Sequence, residues 1–147
     1  MPTYKVGNMW DVLGDVDYFL ITTNSTLRKD GALVMGAGIA RQCRDAYPGV
    51  DKQMGRAVSE ICSSGGFYGV ILGTKLGMFQ VKYHWASKAD LNLITASTIL
   101  LHETARANPH KTFALNFPGI GNGGLPVEQV KPIVDTLPEN IQIWSLK

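Results

Sequence analysis

Cysteine is scarce in this sequence: Cys43 and Cys62 are the only two, and their spacing is not that of a zinc site. Their natural role is packing, in a protein kept reduced. A signal-peptide pattern and a long apolar run are both missing, so we expect a cytoplasmic protein with no membrane segment. Charge of one sign is also missing. The formal net charge is +2, with Lys and Arg interspersed among Asp and Glu, which argues against a nucleic-acid groove or attachment to an anionic membrane. His84, His102 and His110 are scattered over different segments, so no metal centre is expected. There is no GxxxxGK[ST] loop, and "GAGIAR" lacks the third glycine of the dinucleotide fingerprint, which speaks against a nucleoside triphosphatase or a nicotinamide dehydrogenase.

What the chain does contain is enough apolar residue for a core: 45% of 147 residues are hydrophobic and 18% charged. No repeat, low-complexity tract or linker divides it, and residues 1–147 read as one domain. "YKV" (4–6) and "VDYFLITT" (16–23) read as strands, the second apolar enough to be buried on both faces. Helical patterns follow from Ile39 to Tyr47 and from Val50 to Ile61, separated by Pro48 and Gly49. Residues 67–85 alternate about a glycine-containing centre and predict a hairpin. A helix then begins in a capping-box-like "SKAD", Ser87 lying three residues before Asp90, with Leu93, Ile94, Ala96, Leu100, Leu101 and Thr104 on its apolar face. "KTFALNF" (111–117), a helix from Pro126 and the strand "IQIWSL" complete an α/β pattern with helices on both faces of a sheet.

Two glycine-rich loops each follow a predicted strand and precede a predicted helix, which is where open α/β sheets bind ligands. The first is "MGAGIA". Its glycines would either shape a sharp turn or strip side chains from a backbone that an anion approaches at the helix N-terminus. The second, "PGIGNGGLP", carries glycines at 119, 121, 123 and 124, a density that is entropically costly in an ordinary connection. Two such loops in one small chain favour the ligand.

The arrangement of "GNMW" (7–10), "TTN" (22–24), "MGAGIARQCRDAYPGV" (35–50), "VKYHWASK" (81–88) and "FPGIGNGGLPVEQVKPIV" (117–134) resembles the macro domain over almost the entire chain. Within that family it is most similar to the branch holding terminal ADP-ribose protein glycohydrolases and yeast-type ADP-ribose 1''-phosphate phosphatases. The resemblance implies a three-layer fold with a mixed sheet and helices on both faces. It implies a monomer, without a cofactor, that binds ADP-ribose, its derivatives or ADP-ribosylated macromolecules. Gly36, Ala37, Gly38, Ile39 and Ala40 would form the first phosphate loop, and Pro118, Gly119, Ile120, Gly121, Asn122 and Gly123 the second. Asn24 would face the distal ribose; its other reading is a turn-forming side chain in "TTNST". Asn8 and Met9 stand where the family contacts adenine, with Asn8 in place of the usual Asp, so a carboxamide oxygen would accept the adenine amino hydrogen without charge assistance. Trp144 falls where relatives carry an aromatic near the base, or else it packs in the core.

In the glycohydrolases a lysine attacks the anomeric carbon and an acid in the second loop assists. Lys82 stands at the lysine's position, where it would be a nucleophile, a phosphate partner, or simply a solvated side chain. No acid lies between the second loop's glycines and the final helix; Glu128, the nearest, belongs to that helix's first turn. Two functions follow: a hydrolase of ADP-ribose derivatives using Lys82 and Asn24, or a module that binds ADP-ribose without turnover.

Overall fold

The computed structural model describes residues 1–147 and holds a six-stranded sheet between two layers of helices. The strands are β1 (Thr3–Val6), β2 (Tyr18–Thr23), β3 (Val70–Leu72), β4 (Leu76–Gln80), β5 (Phe113–Asn116) and β6 (Ile141–Ser145). Their order across the sheet is β1-β6-β5-β2-β4-β3, parallel everywhere except the β3–β4 hairpin. The helices are α1 (Gly38–Ala46), α2 (Val50–Ser59), α3 (Leu91–Ala107) and α4 (Val127–Val134). No helix is long and apolar enough to cross a membrane.

Alternation along the central strands explains the layers. On β2, Phe19 and Ile21 join Ala40, Cys43, Val50, Met54 and Val58 of α1 and α2, while Leu20, pointing the other way, joins Ile94, Leu101, Val130 and Val134 of α3 and α4. All of these side chains are buried, so each face of the sheet removes its apolar half from water. The α1–α2 pair is seated closely: a Cβ on Gly55 would lie 1.9 Å from the carbonyl oxygen of Gly31, so only glycine lets α2 approach the segment after β2.

The expected hairpin and the closing strand form over Val70–Gln80 and Ile141–Ser145. Two local expectations change. Asp90, not Ser87, caps α3, its carboxylate accepting the Leu93 amide at 3.1 Å. The buried stripe of α3 is Leu93, Ile94, Ser97, Thr98, Leu101 and Ala105, rotated away from Ala96, Leu100 and Thr104. The rotation brings the Ser97 hydroxyl onto the Gln80 carbonyl at 2.8 Å, a polar bond inside an otherwise apolar interface.

Candidate functional site

The chain leaves β2 toward β4 on one side, then crosses over α3 to β5 on the other, so the strand order reverses at the β2–β5 junction. Such a reversal opens a crevice at the carboxyl ends of the strands. Here β2 and β5 pair through Leu20 and Leu115, while β2 continues with β4 to Thr23 and β5 with β6 to Asn116. A side chain bridges the gap. Asn116 accepts the Thr22 amide on Oδ1 at 3.0 Å and donates from Nδ2 to the Thr22 hydroxyl at 2.9 Å. Above this bridge lies a cleft of about 930 Å³, at the large end of the range for small-molecule sites.

Both glycine loops line it. In the first, Gly36 to Ala40 carry amide hydrogens with no acceptor in the protein; the first helical bond of α1 is from Arg41 to Ala37. Ala37 supplies no side-chain cap, so these donors and the helix dipole are left for a ligand. In the second, the amides of Ile120, Gly121 and Asn122 are likewise unpaired, while Gly123 and Gly124 bond back to Ile120 and Gly121. The loops meet where Gly38, at φ +58°, faces Asn122: a Cβ there would lie 2.9 Å from Asn122 Nδ2. Gly36 is different. Its φ is not in the left-handed region, and a Cβ on it would have no neighbour within 4 Å, so nothing in the folded chain requires glycine there.

The cleft's charges are one-sided. Arg28, Lys82 and Lys147 line it, and no Asp or Glu does. Arg28 is paired with Asp51 at 3.0 Å and lies 3.8 Å from Asp30, whereas Lys82 is half-buried and forms no ion pair. Lys82 is held by its backbone: its carbonyl accepts from Gln80 Nε2 at 3.2 Å. Gln80, fully buried, also donates to Gly66 and accepts the amides of Tyr68 and Gly69, so every polar atom of its side chain is used.

Asn24 lines the cleft and also forms the turn in "TTNST": Oδ1 accepts the Thr26 amide at 2.9 Å and Nδ2 donates to Val34 at 3.0 Å. One amide hydrogen remains, in a fixed orientation. Behind it, the buried Tyr68 hydroxyl donates to the Asn24 carbonyl at 2.8 Å and bonds the Thr23 hydroxyl; burial raises its pKa, so it stays protonated. Ser25 Oγ donates to the Tyr83 carbonyl at 3.0 Å, and the Trp85 amide to Thr26 Oγ1 at 3.0 Å. The segments carrying Asn24 and Lys82 are thereby joined into one surface.

Three expected residues do not line the cleft. Asn8 caps a short 3-10 turn at Met9–Val12, its Oδ1 accepting the Trp10 amide at 3.1 Å, and Met9 is buried in the α1–α2 core. Pro118, at the start of the second loop, is buried and outside the lining. Trp144 does line the cleft, with its indole Nε1 donating to Gln142 at 3.0 Å. Asn116, Arg28 and Trp85 were not anticipated. Asn116 had a signal, a lone amide ending an apolar strand; Trp85, 55% exposed on the rim, was visible only as a neighbour of Lys82.

No family model and no curated protein sequence matches the chain. Solved structures do. The macrodomain of Mycobacterium tuberculosis DarG is 27% identical, over 98% of this chain and 97% of that one, with a TM-score of 0.71. The macrodomain of Thermus aquaticus DarG is 24% identical over 100% and 98%, at 0.72. Thermosipho africanus DarTG in complex with ADP-ribose is 20% identical over 97% of this chain and 41% of that one, at 0.74. The last two, under a quarter identical, speak for the fold alone. With its mixed six-stranded sheet, its helices on both faces and its crevice between two glycine loops, the chain is a macro domain in fold.

Proposed function

We propose that this cleft binds ADP-ribose and removes a group attached to C1'' of its distal ribose, either the phosphate of ADP-ribose 1''-phosphate or an ester-linked ADP-ribosyl acceptor. The observation that carries the reading is the pairing of two sets of unpaired loop amides with a free lysine, in a cleft lined by no Asp or Glu side chain. The amides supply fixed donors for a diphosphate, which needs no reorganisation when it binds. A ligand of that kind is bound in Thermosipho africanus DarTG, a structure of the same fold. The remaining amide hydrogen of Asn24 is available to a ribose hydroxyl, and Trp144 offers an aromatic surface at the β6 side of the cleft.

For the chemistry, the amine of Lys82 forms a bond to C1'' as the bond from C1'' to the leaving oxygen breaks, its electrons departing with the oxygen. Water then displaces the lysine and ADP-ribose is released. Pro118, Asn8 and Met9 have no part in this reading. Calorimetric titration with ADP-ribose, with AMP, ADP and NAD as controls, tests the binding, and phosphate release from ADP-ribose 1''-phosphate tests the turnover. Saturable binding that prefers ADP-ribose is expected; no binding to any of the four refutes the reading. The absence of an Asp or Glu side chain from the cleft lining favours a second reading, in which the protein sequesters ADP-ribose without turning it over. Binding with no turnover of any conjugate would decide for it.

A further inference from the structure

We infer that this cleft holds the base of its ligand on an apolar shelf formed by Trp144 and Leu146 and reads no hydrogen-bonding edge of that base, so it accepts guanine or hypoxanthine in place of adenine. The inference rests on the ADP-ribose reading above and widens its ligand class to purine nucleoside diphosphate riboses.

On that reading C1'' lies at Lys82, just past β4, and the diphosphate lies between the amides of the two loops. The base then extends toward β6, three strand spacings from β4, or roughly 14 Å across the sheet. Trp144, Ser145, Leu146 and Lys147 line that end. Along an extended chain Gln142, Trp144 and Leu146 alternate onto one face, and the indole N–H of Trp144 donates to Gln142 Oε1 at 3.0 Å, which fixes the ring. The ring also packs against Gly7, where a Cβ would lie 3.5 Å from Trp144 Cζ3. Leu146 is 82% exposed, a large apolar side chain left in water beside an aromatic ring in the lining of a cleft. A flat base laid across the two would remove both from water.

A shelf of this kind does not read the edge of a base, because every base has a π-face. Guanine and hypoxanthine carry an accepting oxygen where adenine carries a donating amino group. Telling them apart takes a group that only accepts, such as a carboxylate or a free carbonyl. No Asp or Glu side chain lines the cleft, and Asn8, its oxygen on the Trp10 amide, is outside the lining. Asn24 stands at the Lys82 end, Asn122 lies against Gly38 between the loops, and Asn116 is bonded to Thr22 through both its polar atoms. Three carbonyls at the β6 end are in use: that of Trp144 accepts the Phe117 amide at 2.7 Å, that of Ser145 the Gly7 amide at 2.9 Å, and that of Lys147 the Ser145 hydroxyl at 2.9 Å. Leu146, exposed as it is, offers its carbonyl to water as readily as to a base. The Lys147 ammonium only donates, and N7 of adenine or guanine accepts from it equally.

The test is calorimetric titration with ADP-ribose, GDP-ribose and IDP-ribose, the last carrying hypoxanthine. The three wild-type Kd values should lie within about tenfold of one another. Leu146→Ser, at an exposed residue beyond β6, should raise all three by the same factor of about three- to tenfold, because apolar area is no longer covered. Trp144→Ala should do likewise by about 5- to 150-fold, with Trp144→Phe recovering most of the loss. A wild-type preference for ADP-ribose over IDP-ribose of more than about tenfold overturns the inference and leaves the ADP-ribose reading in place. So do unchanged affinities in Leu146→Ser, or a loss there confined to ADP-ribose. If the wild-type protein binds none of the three saturably, the ADP-ribose reading and this inference are overturned together.

Discussion

Replacing Gly36 by alanine separates what the fold needs from what the ligand needs. The backbone there is not left-handed, and the new methyl group would meet no heavy atom within 4 Å, so the folded chain accommodates it without strain. The unfolded chain loses freedom, and stability should rise by about 0.4–1 kcal/mol. For a chain of this size that is an increase in melting temperature of about 1–4 °C. The same methyl group is added at a residue that lines the cleft, beside the unpaired amides of the first loop. A phosphate would have to withdraw and give up at least one charge-assisted hydrogen bond, worth about 1.5–3 kcal/mol. That corresponds to a rise in Kd of about 10- to 150-fold. Gly14→Ala is the matched control: its Cβ also meets nothing within 4 Å, and it lies outside the cleft. Melting curves and calorimetric titration with ADP-ribose check both halves. Wild-type affinity in Gly36→Ala would refute the close approach of ligand to this loop, and a lowered melting temperature would refute the open space above Gly36.

Lys82→Ala and Lys82→Arg should both keep ADP-ribose binding and lose turnover by on the order of a thousandfold or more, because arginine restores the charge but not the nucleophile; turnover by the arginine variant would mean that Lys82 acts through charge. Asn116→Leu leaves the Thr22 amide and hydroxyl unpaired at the β2–β5 junction, which should lower stability by about 1–3 kcal/mol, or roughly 2–12 °C in melting temperature. An unchanged melting curve would show that the bridge is dispensable. Trp85 and Trp144 both line the cleft, so ADP-ribose should change the intrinsic fluorescence, and Trp85→Phe should remove the part that comes from the rim. Burial pushes the Cys43 thiol up to about 11 from an ordinary 9.0. The unfolded thiol therefore ionises first, and its contribution to stability, complete below about pH 9, should be lost as the pH rises toward about 11; denaturant midpoints across that range measure it.

Much of the fold was legible because it is written in local alternation. The run "VDYFLITT" could only be a strand covered on both sides, and the glycine at 49 marks the break between α1 and α2, where the chain takes φ +89°. The face of α3 was harder to read. Ser97 faces the sheet although it is polar, because it finds a carbonyl on β4 that no pattern along the helix reveals. The same limit applies to the cleft. Its two loops announce themselves by glycine, whereas Asn116 and Arg28 enter it through a strand reversal and an ion pair to α2, both products of tertiary arrangement. Asn8 shows the converse: the resemblance implies a base contact, while locally its oxygen accepts the Trp10 amide and the residue lies outside the cleft lining.

On the proposed reading, the division of labour within the cleft lets binding and chemistry be separated. The donors available to a diphosphate are main-chain amides of Gly36–Ala40 and Ile120–Asn122, fixed by the start of α1 and by the second loop. Apart from proline, no substitution removes a main-chain N–H; it can only obstruct it, as Gly36→Ala would. Lys82 and the remaining hydrogen of Asn24 are side-chain groups on adjoining segments, held in place by Gln80, Ser25, Thr26 and Tyr68. Each of these can change without disturbing the amides across the cleft. Loss of a catalytic side chain in such a site leaves a binding protein, whereas distortion of a loop abolishes both functions. Variants at residue 82 should therefore fall along the turnover axis alone, and variants at residue 36 along the affinity axis. A Lys82 variant that lost affinity and turnover in equal proportion would contradict this separation and make the lysine part of the phosphate site.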